Sequence, residues 1–141
     1  MRIDDLAYAL GKFEAAFARL QQAVEQAVDD LDRDGVIQRF EFTFELLWKT
    51  AKMFLEYEGF RCAGPRSCIK EGVQREILVK GEVLLDMLDD RNRTTHIYDE
   101  RTAQEIFERI KGEYVPVIAS NVKKMREQIT PIEPIDRNEV G

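Results

Sequence analysis

The chain has 141 residues, of which 44% are hydrophobic and 34% charged, and its formal net charge is −6. A chain of this length forms about one compact domain with a core of its own. The net negative charge argues against a broad electrostatic surface for nucleic acid, because such binding depends on many lysines and arginines that release counterions from phosphates. Any contact with RNA is therefore expected to be local.

Targeting and metal-binding signals are weak. The first residues, MRIDDLAYAL, carry acids where a signal peptide has a basic segment, and no stretch approaches about 18 uncharged residues, so a cytoplasmic chain without a membrane segment is expected. Cys62 and Cys68 are not spaced like a zinc knuckle, and one histidine does not easily complete a tetrahedral site. We therefore expect two reduced cysteines near a loop and no metal or other cofactor.

Two long helices are predicted in the first sixty residues. Apolar residues from Ile3 to Leu31 recur at spacings of three and four, which keeps one stripe along a single helix. A second helix, capped by Asp34 and stopped by Gly59, carries a similar stripe. Apolar residues also broaden the face of this second helix, so it is expected to be central.

Shorter helices are predicted in the second half, over about 66–74 and 82–91. In the latter, Arg91 continues the apolar line of Leu84 and Leu88, so its guanidinium should face a partner or a pocket rather than open water. A guanidinium in that position is a candidate for binding an anion.

The last helical region is predicted to begin at a cap, Asp99, and to run to about Ile129. Pro116 should bend it or restart it near Glu113, because the proline ring presses on the carbonyl four residues back. Residues 130–141 are expected to form a polar tail. The pattern predicts an all-α fold over residues 1–129, an antiparallel up-and-down bundle of four to five helices.

An acidic motif offers a calcium-binding alternative. Asp30, Asp32, Asp34, Gly35 and Glu41 fit D-x-D-x-D-G-x5-E, the calcium loop of an EF-hand. The residue before the motif is acidic where such loops have an apolar side chain, and no second hand is present to pair with it. The interpretation as a helix start is therefore favoured over a calcium site.

A second acidic group, Glu41 and Glu45 with Lys49, lies at four-residue steps on the second predicted helix. Such spacing is typical of a solvated helix face with one weak ion pair. The two carboxylates have no partner visible in the sequence for acid–base chemistry.

The segment RNRTTHIYDE, residues 91–100, contains the one histidine of the chain. On a continuous helix Arg91 and His96 point about 140° apart, but a turn at 93–95 lets His96 fold back or lets two copies of the segment meet. In that arrangement Arg91 is expected to hold a phosphate and His96 to transfer protons, because an unperturbed imidazole has a pKa of about 6.5. The alternative, which composition alone favours, is that Arg91 pairs with a carboxylate such as Asp86 or Asp90 and His96 begins the next helix.

Three segments carry a family resemblance. R-N-x-x-x-H-x-Y, formed by Arg91, Asn92, His96 and Tyr98, occurs together with QRFEFTFELLWKTAK at 38–52 and with PRSCIKEG. In this order they resemble the nucleotidyltransferase substrate-binding proteins, the HepT-like branch of the HEPN superfamily. The resemblance covers about residues 1–129.

The resemblance implies a homodimeric helical bundle whose two motifs face one cleft, acting as a metal-independent ribonuclease. It implies that Arg91 binds the scissile phosphate, that His96 transfers protons and that Asn92 supports the site. RNA supplies its own 2′-hydroxyl as the nucleophile.

The resemblance also implies a partner, a minimal nucleotidyltransferase encoded nearby. In the toxin–antitoxin form of the family, this partner neutralises the ribonuclease by adding AMP to the motif tyrosine, here Tyr98, which blocks the cleft with a bulky anion. The alternative within the family is a subunit that binds a nucleotide or other substrate for the nucleotidyltransferase and catalyses nothing. A purely structural helical module is a third possibility.

Overall fold

The structure is a computed structural model that describes residues 1–95 and 99–129, and within these residues all regular secondary structure is helical. The elements in chain order are α1 (Ile3–Gln26), α2 (Asp30–Tyr57), α3 (Pro65–Gln74), α4 (Gly81–Thr94), α5 (Glu100–Arg109), a π-helical segment (Ile110–Tyr114) and α6 (Val115–Ile129). Because α5, the π-helical segment and α6 follow without a break, they form one rod. The predicted all-α bundle is confirmed.

Helix α2 is the centre of the bundle, as the sequence predicts. It packs against α1, α3, α4 and α5, while α6 lies along α1. Phe40, Phe44 and Leu47 on α2 are fully buried and meet the α1 stripe of Leu10, Phe13 and similar residues. One continuous apolar core therefore runs through the part of the chain that the structure describes.

The boundary between α1 and α2 differs from the prediction. Helix α1 ends at Gln26, and Asp29 rather than Asp34 caps α2, where its carboxylate accepts a hydrogen bond from the backbone N–H of Asp32 at 2.8 Å. Leu31, which continues the spacing of the α1 stripe, is 79% exposed. The apolar spacing of α1 continues past Asp29, although α1 has already ended and Asp29 caps the next helix. The spacing alone therefore misplaced the boundary.

The calcium-loop alternative is excluded by the same boundary. Residues 30–34 form the first turns of α2, and Glu41 lies three turns into that helix. A helical backbone cannot wrap these carboxylates around one cation, as the EF-hand loop does.

Polar contacts fix the shorter elements against the long ones. Asn121, fully buried on α6, accepts a hydrogen bond from the backbone N–H of Val79 at 2.9 Å and donates to its carbonyl at 3.1 Å. Arg126 on α6 forms a two-point ion pair with Glu14 on α1, at 2.5 and 3.0 Å. The α3–α4 connection and the end of the rod are thereby held to the bundle.

The two cysteines do not match the prediction. Cys62 and Cys68 form a disulfide, with their Cα atoms 5.0 Å apart, whereas the sequence suggested two reduced thiols. The loop after α2 turns back onto the first turn of α3, which brings the two side chains together. Spacing alone cannot reveal such a turn.

The helix does not restart near Glu113 as one form of the prediction had it; instead the segment ahead of Pro116 is π-helical and continuous with α5 and α6. The backbone N–H of Val115 bonds to the carbonyl of Ile110, five residues back, and α-helical geometry resumes at Val115. This wider turn relieves the contact between a proline ring and the preceding helical turn. No described helix is long and apolar enough to cross a membrane.

We predict that Phe40→Ala lowers the free energy of unfolding by about 4 kcal/mol, because it empties a fully buried site that stacks on Tyr114 with ring centroids 5.4 Å apart. Urea denaturation measures the change. Phe42→Ala is the matched control, since Phe42 is 62% exposed and its loss should change stability by no more than about 0.5 kcal/mol. Equal losses for both variants would contradict this assignment of the core.

Candidate functional site

The predicted break in the helix after Arg91 is confirmed. Helix α4 ends at Thr94 with Thr95 as its C-cap, and α5 begins at Glu100 with Asp99 as its N-cap. The Asp99 carboxylate accepts hydrogen bonds from the backbone N–H and the hydroxyl of Thr102, which lower the pKa of Asp99. Helix α4 therefore ends three residues after the motif arginine, and the rod begins as a separate helix at Glu100.

Arg91 faces a partner on the central helix, as its place on the apolar line predicts. Its guanidinium donates to the Glu45 carboxylate of α2, with Nη2 and Oε1 2.5 Å apart, and each of the two side chains is 27% exposed. Arg91 thus pairs with a carboxylate, as the alternative interpretation predicts, but the partner is Glu45 rather than Asp86 or Asp90. Asp90 points into the core, about 100° around α4 from Arg91, and Asp86 is exposed.

The acidic face of α2 has a partner that the sequence did not reveal. The hydroxyl of Thr94 hydrogen-bonds the Glu41 carboxylate, one turn along α2 from the pair between Glu45 and Arg91. Lys49 lies 3.6 Å from the second oxygen of Glu45. The predicted helix ion pair between Glu45 and Lys49 is therefore present, but the face is not only solvated, because Glu41 and Glu45 also contact the end of α4.

Asp90 is the most buried charged residue at this end of the bundle, with 2% of its surface exposed. Arg109 donates to both of its oxygens, at 2.8 and 2.9 Å, and the hydroxyl of Tyr114 donates at 2.5 Å. Arg93 is the third residue that donates to this carboxylate, with its Nη1 3.0 Å from Oδ1 of Asp90. This cluster ties the last turn of α4 to the rod.

The two outer members of the cluster have shifted pKa values. Burial and then the hydrogen bond to the Asp90 carboxylate raise the pKa of Tyr114 far above its usual range. The hydrogen bonds to Asp90 likewise raise the pKa of Arg109. Both groups therefore keep their protons throughout the physiological pH range, and the cluster acts as a fixed tether.

The structure brings two of the four motif residues together. Asn92 accepts a hydrogen bond from Nη1 of Arg91 through its side-chain oxygen at 3.2 Å. His96 and Tyr98 lie outside the described residues, so their predicted roles stay predictions.

The anchored guanidinium at the end of α4 is chemically suited to an anion. Glu45 and Asn92 accept from its two terminal nitrogens, and the side chain still reaches solvent. Arginine presents five donors in a planar fork that matches phosphate, so donors remain after these two contacts. No group of three or more potential metal ligands is placed to hold a metal ion within residues 1–95 and 99–129.

Comparison with known proteins places these features in context. A family model described as nucleotidyltransferase substrate binding protein like matches residues 8–127. A crystal structure of a protein from Thermus thermophilus matches with 32% sequence identity and a TM-score of 0.70, and the alignment covers 84% of this chain and 99% of that one. No curated protein matches. The matched family region includes both α2 and the Arg91 motif.

We predict that Asp90→Asn lowers the free energy of unfolding by about 3 kcal/mol, because it leaves the Arg109 guanidinium without its charge partner. Thermal and urea unfolding measure the change. Asp86→Asn on the exposed side of the same helix is the control and should change stability by no more than about 0.5 kcal/mol. An Asp90→Asn variant as stable as this control would show that the cluster does not tether α4.

Proposed function

Because the chain belongs to the family of nucleotidyltransferase substrate-binding-like proteins, we propose that it acts with a nucleotidyltransferase and is itself a metal-independent ribonuclease. In this proposal it is the toxin of a toxin–antitoxin pair and works in the cytoplasm on RNA. The observation that carries the proposal is the part-exposed guanidinium of Arg91, held by Glu45 at the end of α4.

Arg91 is suited to bind the scissile phosphate. Glu45 and Asn92 already restrict the Arg91 side chain to few rotamers. Binding a ligand therefore costs less side-chain conformational entropy. An arginine held in this way presents its remaining N–H groups in a fixed direction, and it stabilises the extra negative charge that develops on a phosphate under attack. Glu45 is thus a positioning residue for Arg91.

The chemistry that we assign to the site is transfer of the phosphoryl group to the neighbouring ribose oxygen. The RNA 2′-hydroxyl loses its proton to His96 and attacks phosphorus. The bond to the 5′-oxygen breaks, and that oxygen takes the proton back from the imidazolium of His96. The products are a 2′,3′-cyclic phosphate and a 5′-hydroxyl. No protein nucleophile and no metal ion is required, and an imidazole with a pKa of about 6.5 is suited to both proton transfers.

A homodimer is part of the proposal, because one chain offers a single motif histidine. Two copies that meet near the ends of their α4 helices bring two sets of Arg91 and His96 to one cleft. The partner nucleotidyltransferase would silence this cleft by adding AMP to Tyr98, two residues beyond His96. The added phosphate repels the phosphates of RNA and fills the space that they need.

A binding subunit without catalytic activity is the second candidate. The description of the matched family names substrate binding rather than cleavage. The motif also has two exposed acids beside it, Asp86 and Asp89, which weaken the electrostatic attraction of this surface for RNA. Arg66 pairs with one of them, Asp89, at 3.4 Å. In this version Arg91 binds a phosphate of the nucleotidyltransferase substrate and the chain cleaves nothing.

For the ribonuclease proposal, we predict that Arg91→Ala and His96→Ala each slow RNA cleavage by about 100-fold or more, because each removes a group that acts in the transition state. Cleavage of fluorescently labelled RNA is followed with EDTA present, and mass spectrometry identifies the new ends. Arg61→Ala is the matched control, because Arg61 is exposed and forms no ion pair with other described residues.

The substrate provides a second control, since RNA with 2′-deoxyribose at the cleaved position should stay intact. Cleavage that survives His96→Ala, or that occurs on the deoxy substrate, would rule out this mechanism. If wild-type protein binds RNA or a nucleotide through Arg91 without cleaving it, the binding-subunit function is the correct one.

A further inference from the structure

An open groove lies between α1 and α2, lined by residues of these two helices only. Its volume is about 770 Å³, and its apolar walls include Ala16, Phe42 and Leu46. The groove lies within the 300–1,000 Å³ range that is usual for small-molecule sites. None of the residues that line it belongs to the cluster around Arg91 and Asp90.

The charge of this groove is opposite to that of the chain. Lys12, Arg19 and Arg39 line it, all three are exposed, and none of its lining residues is acidic. None of the ion pairs within residues 1–95 and 99–129 involves these three cations. In a chain with a net charge of −6, this is a local positive site that attracts an anion.

The cations lie at both ends of the groove with an aromatic ring between them. The Thr43 hydroxyl reaches the carbonyl of Ala16 at 3.4 Å, so the middle of α1 lies opposite that part of α2. Arg19 and Arg39 together line a smaller cavity of about 250 Å³ that continues the groove. Phe42, 62% exposed, comes one turn after Arg39 on α2. An exposed ring beside arginines is a surface on which a nucleobase can stack.

Charge and size favour a small anionic ligand over other occupants. A second copy docked about a two-fold axis would bring these cations close to the same cations of its partner. An RNA strand needs a longer row of cations, since its binding scales with the number of phosphates neutralised. Two arginines beside one ring suit a single phosphate chain attached to one base.

We propose that this groove binds a nucleoside polyphosphate, with its phosphates on Arg19 and Arg39 and its base against Phe42. The Lys12 ammonium, which lies 5.2 Å from the centre of the Tyr8 ring, bounds the groove at the other end. The site goes beyond the proposed function, and it is independent of what the Arg91 site binds or cleaves.

Isothermal titration calorimetry of the full chain with ATP tests the site. We expect saturable binding of one ATP per chain, with weaker binding of both adenosine and inorganic tripolyphosphate. Arg19→Ala, Arg39→Ala and Phe42→Ala should each weaken ATP binding by about tenfold, because each removes a charge-assisted hydrogen-bond donor or the stacking surface. All three side chains are exposed, so melting temperatures should stay near that of the wild type.

Arg61→Ala is the control and should bind ATP as the wild type does. The ATP measurement does not depend on RNA cleavage, so failure of the ribonuclease mechanism leaves the ATP result standing. Absence of saturable ATP binding would overturn the proposal, and so would binding that Arg91→Ala abolishes. An eight-nucleotide RNA that binds the groove without competition from ATP would also overturn it. So would groove variants that change the sedimentation coefficient but not the affinity for ATP.

Discussion

The buried carboxylate of Asp90 fixes the end of helix α4. An anion in an apolar core is costly unless charged and hydrogen-bonding partners surround it, and Arg109, Tyr114 and Arg93 supply these. Two of these partners lie on the rod that follows the motif. The end of α4 is therefore locked to the rod.

The position of Arg91 follows from that constraint. Because Asp90 points into the core, the next residue along α4 points about 100° away around the helix, toward α2. There Glu45 meets it at 2.5 Å, and Thr94 meets Glu41 one turn away. The central helix thus contributes one carboxylate, Glu45, that orients the motif arginine and a second, Glu41, that holds Thr94. The contacts of Asp90 in the core and the ion pair between Arg91 and Glu45 together place the Arg91 guanidinium at the surface.

Local signals in the sequence predicted much of the fold. Apolar spacing identified the helices, and Asp99 was recognisable as a cap because the backbone that it satisfies lies three residues away. Long-range features were not predictable in this way. Glu45 and Arg91 are 46 residues apart in the chain, and Asp90 and Tyr114 are 24 apart. These contacts depend on how the helices pack, which the local pattern of a sequence does not specify. The disulfide between Cys62 and Cys68 likewise depends on the turn of a loop, which spacing alone does not reveal.

We propose two anion sites with different roles, one at Arg91 and one between α1 and α2. The claim most directly open to measurement is that the anchored guanidinium of Arg91 contacts RNA phosphate. In ¹H–¹⁵N spectra of arginine side chains, titration with a 2′-deoxy oligonucleotide, which cannot be cleaved, should shift the Nε–H signal of Arg91 in a saturable way. The signal is assigned from its loss in Arg91→Lys. An unchanged Arg91 signal at saturating oligonucleotide would contradict the account.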